Sequence, residues 1–290
     1  LQGTAPDNVV IVGGGPIGVE FGFIYNAYGA KVTIVEALPR ILPSEDSESS
    51  TALTRSFRKR GIEVFVDSEV KQVEKTDTGI IVHVETPDDD DMCIPVDRVL
   101  ICTGILANTE DLGLDVAGVE LEQGFVKVDD EMRTSADGVF AIGDVTGKMP
   151  LAHVAQAQAV LVAERIAGEE TQPIDYLSVP RATYANPQVA SIGLTEAEAV
   201  GQGYEVKVGK FPFLANGKAL SLDDYEGFAK VVVDASTGEI LGAHLVGHDV
   251  TELLGELSLT RLLEGTNVEV GAVINAHPTL SEAIKEAALA

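Results

Sequence analysis

The stretch that decides the fold is NVVIVGGGPIG at residues 8–18. Its first five residues form a short apolar run rich in β-branched side chains, which predicts a buried strand. Residues 16–28 follow with a spacing of apolar side chains that is compatible with a helix. Between strand and helix lie Gly13, Gly14, Gly15, Pro16, Ile17 and Gly18, which match the G-x-G-x-x-G pattern. In this position the pattern is typical of a dinucleotide-binding turn.

The glycines of this turn have separate physical roles. Gly13 permits the tight turn, Gly15 lets a pyrophosphate approach the backbone, and Gly18 lets the helix pack closely on the strand. The N–H groups at the start of the helix attract phosphate, and Pro16 removes only a donor that the helix does not need. A glycine-rich turn without a ligand is the competing interpretation, and the position between strand and helix favours the dinucleotide site.

The second strand of this unit, predicted at residues 31–35, ends at Glu36, which lies 18 residues beyond Gly18. A carboxylate at this point can accept hydrogen bonds from both hydroxyls of an adenine ribose, which favours NAD over NADP. Arg40 follows four residues later and could meet a 2′-phosphate, but Glu36 would repel that phosphate. The sequence therefore predicts NAD as the cofactor.

The following residues continue the alternation of strands and helices. A polar helix is predicted over residues 44–60. Further strands are predicted at residues 63–66, 70–75, 80–86 and 98–102. Alternation of this kind predicts a parallel sheet covered by helices, so we expect residues 1–116 to form an α/β Rossmann-like NAD-binding domain.

The rest of the chain changes character twice. The segment 117–172 contains two predicted short strands, at residues 125–128 and 139–142, and an alanine-rich helix at residues 152–167. This segment is too small to close its own core, so we expect it to pack on chain outside this sequence or on the first domain. After a proline-containing linker, strands mixed with helices predict that residues 173–290 form an α+β domain.

Composition and charge argue against several classes of protein. Lys and Arg total 20 against 46 Asp and Glu, and the net charge of −26 would repel nucleic acid and anionic membranes. The sequence has no apolar run of about 18 residues and no signal-like start, so we expect a cytoplasmic protein without membrane partners. The chain begins at Leu1 rather than Met, which suggests a fragment.

The spacing of cysteines and histidines predicts no metal site. Cys93 and Cys102 are the only cysteines and lie nine residues apart, which suits neither a metal-ligand pair nor a closely spaced redox pair. Residues 99–102 form an apolar run that predicts a buried strand, so Cys102 is interpreted as a structural thiol. Three histidines are likewise interpreted as surface or packing residues, namely His83, His244 and His248.

Six segments in a fixed order give the chain a family resemblance over nearly its whole length. They read VVIVGGGPIGVEFG, KVTIVEALPRILP, TSADGVFAIGDV, PLAHVA, VGKFPFLANGKAL and AHPTLSEAIKEA. In these segments the chain resembles the class I pyridine nucleotide-disulfide oxidoreductases, and among them the dihydrolipoamide dehydrogenases. The resemblance implies FAD and NAD as cofactors, a homodimer, and a 2-oxoacid dehydrogenase complex as a further partner. It also makes residues 117–172 the remnant of a central FAD-binding domain and residues 173–290 the C-terminal dimerisation domain.

The resemblance further implies roles for individual residues. Asp144 ends a stretch that resembles the second flavin-binding motif, and Ala152 starts the helix whose backbone faces the flavin ring. Glu20 resembles the helix carboxylate that pairs with a lysine beside the flavin, although an ordinary partly buried glutamate is the alternative. Val70 and Gly104 would lie on the nicotinamide side of NAD. The segment TGILAN at residues 103–108 departs from the usual Gly-Arg-x-Pro-Asn and lacks its arginine.

The C-terminal motif contains His277, followed by Pro278 and Glu282. The resemblance makes His277 the general base for a substrate dithiol and Glu282 the carboxylate that orients its ring. An imidazole suits this chemistry, because its pKa lies near neutrality and the attacking species is a thiolate. The competing interpretation is a capping box at residues 279–282, of the kind also seen at residues 195–198.

A complete enzyme of this family also needs an N-terminal FAD fold and a C-x4-C redox pair, and these 290 residues contain neither motif. We therefore expect the chain to be inactive alone and to belong to a parent flavoprotein that oxidises dihydrolipoamide with FAD and reduces NAD. A non-catalytic NAD-binding dimerisation module is the alternative outside this class. Mercuric and glutathione reductases are alternatives within it, although their C-terminal cysteine pair and arginine-rich phosphate site are missing.

The expected dimer would form through residues 173–290. The helix predicted over residues 250–264 carries four leucines, namely Leu253, Leu254, Leu257 and Leu262. This is more apolar than a lone surface helix requires, which suggests an interface. The alternative is that these leucines cover the sheet of their own domain.

Overall fold

The computed structural model describes residues 5–77, 79–88 and 91–290. The chain divides into two compact units. The chain up to Gly104 forms the first unit together with Pro180–Ala290, and Ile105–Val179 form the second. The first unit thus contains a Rossmann-like part and a C-terminal part, which are described in turn.

The N-terminal part contains the predicted βαβ unit. Its strands are β1 (Asn8–Val12), β2 (Lys31–Val35), β3 (Glu63–Phe65), β4 (Glu69–Thr76), β5 (Gly79–Glu85), β6 (Met92–Val96) and β7 (Arg98–Ile101), and its helices are α1 (Pro16–Ala27) and α2 (Ser47–Lys59). Four strands form a parallel sheet in the order β3-β2-β1-β7, and β4, β5 and β6 form a separate antiparallel sheet. The predicted α/β Rossmann-like fold is confirmed, whereas β6 had no predicted counterpart.

The central strand β1 is buried because the sheet is covered on its faces. Val9, Val10 and Ile11 are at most 1% exposed. A parallel strand covered on both faces reads as a continuous apolar run, which is why this strand is legible in the sequence. The prediction that residues 99–102 form a buried strand is wrong about burial, because none of these four residues is fully buried and Ile101 is 70% exposed. It lies at the end of β7, which is an edge strand of this sheet.

The second unit has little regular structure besides one long helix. It contains the short strands β8 (Leu121–Glu122) and β9 (Phe125–Val126) and the helix α3 (Ala152–Ala167), whose bounds agree with the prediction. The strand predicted at residues 139–142 is absent, and only an isolated bridge joins Phe140 to Arg133. The four clusters of buried apolar side chains among the described residues take no member from this unit. A segment this small buries too little apolar surface to close a core.

The C-terminal part is built on one antiparallel sheet. Its strands are β10 (Arg181–Thr183), β11 (Gln188–Gly193), β12 (Val206–Pro212), β13 (Phe228–Asp234) and β14 (Ile240–Gly247), in the order β10-β11-β14-β13-β12. Its helices are α4 (Glu196–Gly201), α5 (Gly217–Ser221), α6 (Leu254–Leu262), α7 (Asn267–Ala272) and α8 (Glu282–Leu289). Every residue of β13 and β14 is buried. The predicted α+β class is confirmed, although β10 and β11 had not been predicted.

The leucines of α6 and the turn before it mostly face their own domain. Leu254 and Leu257 are 4% and 0% exposed and belong to the core of the C-terminal sheet, against which Leu253 also packs. The prediction that these three leucines form an interface is therefore wrong, because they cover the sheet of their own domain. Leu262 is 76% exposed, and Leu259 and Leu263 are 55% and 70% exposed beside it.

A buried charge cluster joins the two parts of the first unit. Lys230 of β13 is 1% exposed, and its Nζ lies 3.1 Å from Asp46 Oδ2, just before α2. The same Nζ lies 2.9 Å from Glu48 Oε1 and 2.7 Å from Glu196 Oε2. Asp46 also caps α2 by accepting a hydrogen bond from the Glu48 N–H. This cluster fixes the helix of one part on the sheet of the other.

No helix in the described part of the chain is long and apolar enough to cross a membrane.

Candidate dinucleotide cleft and histidine–glutamate pair

The glycine turn has the geometry that its sequence predicts. A Cβ at Gly13, whose φ is +105°, would lie 2.4 Å from the carbonyl oxygen of Cys102, and one at Gly18 would lie 2.0 Å from the carbonyl oxygen of Gly13. Both positions therefore exclude any side chain. At Gly15, by contrast, no heavy atom lies within 4 Å of a Cβ position. The backbone at Gly15 is thus open at the N-terminus of α1, where a phosphate can approach.

The carboxylate of Glu36 is fixed at the end of β2. Its side chain is 8% exposed. The Gly14 N–H donates to Oε2 at 2.6 Å, and the Leu38 N–H donates to Oε1 at 2.8 Å. A carboxylate has about four lone-pair positions, so two backbone donors leave acceptor capacity for ribose hydroxyls. Arg40 donates from Nη2 to the carbonyl oxygen of Pro43 at 2.9 Å.

A cleft of about 520 Å³ lies at the carboxyl ends of β1, β2 and β7. It brings together seven residues singled out from the sequence, namely Gly13, Gly15, Pro16, Ile17, Glu36, Val70 and Gly104. Open α/β sheets bind ligands at this edge, where the strand order reverses. The lining also includes Ser68 and Glu69 at the start of β4, which the sequence did not single out because this segment carries no motif. Cys102 lines the cleft as well, and burial raises the pKa of its thiol.

The outer face of α1 is apolar. Ile17, Phe21, Ile24 and Tyr28 are 50%, 41%, 41% and 78% exposed. Their helical spacing places them on one stripe, which is unusual for a face turned to water. Glu20 on the same helix is half-buried, and its Oε1 accepts a hydrogen bond from the Tyr184 N–H at 2.8 Å.

Two of the residues predicted for the flavin, Asp144 and Ala152, lie in the second unit. Asp144 is exposed in a short 3-10 turn at Gly143–Thr146, and Ala152 is exposed at the first position of α3. The turn is tied to the helix by the fully buried Gln158, whose Oε1 accepts a hydrogen bond from the Gly143 N–H at 2.6 Å. This hydrogen bond fixes the turn that carries Asp144 on the helix that begins with Ala152.

His277 and Glu282 form a direct pair. His277 Nδ1 lies 2.9 Å from Glu282 Oε1, and the imidazole side chain is 78% exposed. The other carboxylate oxygen accepts the Thr279 N–H at 2.9 Å. This N–H and, to a smaller extent, His277 lower the pKa of Glu282, so the carboxylate stays ionised. Glu282 is anchored because α8 buries Ala283 and Ile284 against the sheet.

The capping box predicted at residues 279–282 is only half formed. The Thr279 hydroxyl donates to the Ala276 carbonyl at 2.8 Å, and α8 begins at Glu282 itself. Complete capping boxes occur at Thr195 and Thr266, where each threonine oxygen accepts an N–H of the following helix. Glu282 thus serves the backbone with one oxygen and the imidazole with the other, and the two interpretations of this motif are compatible.

A third group of polar side chains lies on the antiparallel sheet. His83 of β5 stands opposite Cys93 of β6, and its Nδ1 lies 3.5 Å from the cysteine Sγ and 2.9 Å from Asp91 Oδ1. Its Nε2 lies 3.3 Å from Glu74 Oε2. The hydrogen bonds to Asp91 and then to Glu74 raise the pKa of His83. Sequence spacing gave no signal for this group, because pairing of the strands brings it together.

Comparison with known proteins agrees with this architecture. Residues 1–159 match the family described as pyridine nucleotide-disulphide oxidoreductase, and residues 179–288 match its dimerisation domain. The two parts of the first unit are a Rossmann-like domain and an α+β domain of the kind that this family combines. The chain belongs to the pyridine nucleotide-disulphide oxidoreductase family.

Relatives of known name are longer than this chain. A dihydrolipoyl dehydrogenase of Corynebacterium glutamicum is 46% identical over 99% of this chain and 62% of its own length. One of Chlorobaculum tepidum is 45% identical over 98% of this chain and 60% of its own length. The chain therefore spans about three fifths of the length of these relatives.

Solved structures show the same likeness. LpdA from Mycobacterium tuberculosis has a TM-score of 0.91 at 29% identity and is matched over 99% of this chain and 62% of its own. The HOCl-induced flavoprotein disulfide reductase RclA from Escherichia coli has a TM-score of 0.92 at 28% identity, over 99% of this chain and 66% of its own.

Proposed function

We propose that this chain is the NAD-binding and dimerisation part of a flavoprotein that oxidises dihydrolipoamide to its disulfide and reduces NAD. The observation that carries the proposal is the pairing of the exposed His277 imidazole with Glu282 at 2.9 Å. Relatives named dihydrolipoyl dehydrogenase, 44–47% identical over nearly the whole chain, support the choice of substrate. A non-catalytic NAD-binding dimerisation module is the alternative that the experiment below separates.

The cleft at the glycine turn fits NAD. Gly15 is open at the helix N-terminus for the pyrophosphate, and Glu36 retains acceptor capacity for the ribose hydroxyls. Val70 and Gly104 line the cleft and are proposed to contact the nicotinamide side. Arg40 is not among the cleft-lining residues of the described chain, and its guanidinium donates to a backbone carbonyl. These contacts favour NAD over NADP.

His277 is proposed to act as the base toward the dithiol. With Nδ1 facing a carboxylate that stays ionised, the imidazole proton is held on Nδ1 and Nε2 is the free acceptor. Nε2 can then take the thiol proton, which produces the thiolate that attacks a disulfide. Glu282 stabilises the imidazolium that forms. Because the Thr279 N–H fixes the second carboxylate oxygen, the ring orientation is set by the backbone.

The flavin site is proposed to be shared with a further domain. Asp144 and Ala152 would contribute to it from the second unit, and bound flavin and NAD would supply the electron-transfer chemistry. Glu20 is proposed to pair with a lysine of the further domain. The two cysteines lie nine residues apart, and burial raises the pKa of Cys102, so neither suits the redox disulfide. The apolar stripe of α1 offers surface for a domain that carries this disulfide.

The C-terminal part is proposed to form a homodimer. Its match to a dimerisation domain supports this, as do the exposed leucines Leu259, Leu262 and Leu263. Docking of a second copy would place His277 at the disulfide of the partner subunit. A 2-oxoacid dehydrogenase complex as a further partner and a cytoplasmic location belong to the same proposal.

The test uses both the chain and the longer protein or assembly that supplies the disulfide. We expect the 290-residue chain to bind NAD but neither to retain FAD stoichiometrically nor to oxidise dihydrolipoamide. In the complete assembly, His277→Gln should lower kcat for dihydrolipoamide by about 100-fold or more, as removal of a general base does. His248→Gln is the matched control, because His248 also pairs with a carboxylate, that of Asp224 at 3.0 Å. Full activity of the His277 variant would overturn the catalytic role and favour the non-catalytic module.

A further inference from the structure

We propose that His83, Asp91 and Cys93 form a binding site for one divalent transition-metal ion of the zinc class. The three residues come from β5, β6 and the turn between them, and one donor atom of each lies within 4.8 Å of the others. This site lies on the antiparallel sheet and takes no part in the dinucleotide cleft or the His277 pair.

The strand register creates the site. His83 and Cys93 are directly opposite partners in the antiparallel pairing of β5 with β6. Directly opposite residues project from the same face of a sheet, so the imidazole and the thiol meet without any change of backbone. Asp91 lies two residues before Cys93, at the end of the same turn, and its carboxylate contacts the imidazole.

The separations of the donor atoms suit a tetrahedral ion. Zinc binds sulfur at about 2.3 Å and nitrogen or oxygen at about 2.0–2.2 Å, which places tetrahedral ligand atoms about 3.3–3.6 Å apart. Here Sγ of Cys93 lies 3.5 Å from Nδ1 of His83 and 3.9 Å from Oδ1 of Asp91, and Nδ1 lies 2.9 Å from Oδ1. Small side-chain rotations that move the donor atoms by a few tenths of an ångström are enough to admit the ion.

The donor set selects the kind of ion. One thiolate, one imidazole and one carboxylate suit zinc and neighbouring transition metals, whereas calcium and magnesium prefer oxygen ligands alone. Binding releases the proton of the Cys93 thiol to solvent. A proton on Nδ1 of His83 moves to Nε2 if the imidazole is neutral and leaves to solvent if both nitrogens are protonated. The site has three protein ligands, so a fourth position is left for water.

Glu74 gives the site an outer support. Its Oε2 lies 3.3 Å from Nε2 of His83, on the side of the ring away from Cys93. A ligating histidine commonly donates its second N–H to a carboxylate, which fixes the ring and strengthens the ligand. Glu74 therefore stands on one side of the His83 imidazole as the outer carboxylate, and the proposed ion lies on the other side, beside Cys93. The Asp91 side chain is 69% exposed, so the ion would exchange with solvent and be removable by a chelator.

The experiment measures zinc and cobalt binding by the reduced, metal-free 290-residue chain. Competition with a chromophoric chelator should show one tight zinc ion per chain. His83→Gln and Cys93→Ser should each weaken this binding by about 100-fold or more, and Glu74→Gln by about 10-fold to 100-fold. Cys102→Ser is the matched control and should leave the affinity unchanged. Bound cobalt should show thiolate charge-transfer absorption that Cys93→Ser abolishes.

A second measurement does not depend on the folding of variants. In the unmodified chain, zinc should protect Cys93 from alkylation and leave the reaction of Cys102 unchanged, as peptide mass analysis would show. Absence of a tight ion, equal affinity in all variants, or alkylation of Cys93 unaffected by zinc would overturn the proposal. Weak binding of several ions, shared by every variant, would show attraction to the acidic surface only and would overturn it as well.

Discussion

Replacement of Lys230 by methionine tests how the two parts of the first unit are held together. Lys230 is 1% exposed, and its one buried partner in the cluster is Asp46, which is 3% exposed and lies 3.1 Å away. Removal of one member of a buried ion pair costs about 3–5 kcal/mol, because the other charge stays buried without a partner. Glu48 and Glu196 are 41% and 46% exposed and can turn to water, so each adds only about 0.2–1 kcal/mol. Methionine keeps the volume of the stem, so we expect a loss of about 3–5 kcal/mol.

The assay is urea unfolding followed by circular dichroism, because the chain contains no tryptophan. Lys59→Met is the control. Lys59 lies on α2, the helix that Asp46 caps, and pairs with Glu226. Because its side chain is 56% exposed, loss of this ion pair should cost less than about 1 kcal/mol. Lys230→Met combined with Asp46→Asn should recover much of the loss, since no buried charge remains. Equal destabilisation by the Lys59 and Lys230 variants would refute the reasoning.

The pH dependence gives the same argument a second test. Burial alone would raise the pKa of Asp46, but His244, Lys230 and the Glu48 N–H lower it below its ordinary 3.8. The pKa of Glu48 is also lowered from 4.5, because Lys210 and Lys230 outweigh its burial. A carboxylate whose pKa is lower in the folded than in the unfolded chain stabilises the fold at pH values above its pKa in the unfolded chain. This stabilisation is lost as the pH falls through its pKa in the folded chain. The difference in the free energy of unfolding between the native chain and Lys230→Met should therefore have its full size above about pH 4.5 and should shrink below pH 3.8.

Three further predictions concern the cofactor and the dimer. Gly15→Ala should leave the urea midpoint unchanged, because φ is −70° and a Cβ meets open space, yet it should weaken NAD binding at least about 10-fold. Gly18→Ala should instead destabilise the turn itself. Unchanged NAD affinity in a folded Gly15 variant would refute the phosphate site. Glu36→Gln should lower NAD affinity by about 1–3 kcal/mol in calorimetry, and tighter binding of NADP than of NAD by the native chain would contradict the assignment. At a net charge of −26, association should strengthen with ionic strength, and Leu262→Glu should oppose it; a monomer in sedimentation at every salt concentration would exclude the proposed dimer.

The features predicted well are those that local sequence controls. The glycine turn could be read because each step depends on neighbours in the chain: an apolar strand, a residue with positive φ at Gly13, and a helix that starts at Pro16. Helix α3 was predicted to its exact bounds, since its alanine and valine pattern ends at Gly168, which adopts the left-handed conformation that closes a helix. His277 and Glu282 lie five positions apart, so one turn of chain brings them together, although the residues alone did not separate this pair from a capping box.

Other features needed contacts that sequence spacing does not encode. The four leucines of residues 253–262 have one helical period, but only the packed structure shows that Leu254 and Leu257 cover their own sheet while Leu262 stays exposed. The strand predicted at residues 139–142 failed because β-propensity alone forms no ladder without a partner strand. Strands β10 and β11 were missed because their identity depends on pairing with β14.

By itself, the sequence determined the βαβ unit and the position of Glu36 at the end of β2, whereas the role of Glu282 beside His277 was implied by the family resemblance. Tertiary structure alone decided that Lys230, in the middle of an apolar strand, meets Asp46, which lies 184 residues away. It also decided that His83 faces Cys93, because strand register sets which residues of β5 and β6 stand opposite each other. The physical reason is that backbone preference and side-chain period act between neighbours in the chain, whereas charge pairing and ligand geometry act between atoms that only the folded chain brings within a few ångströms.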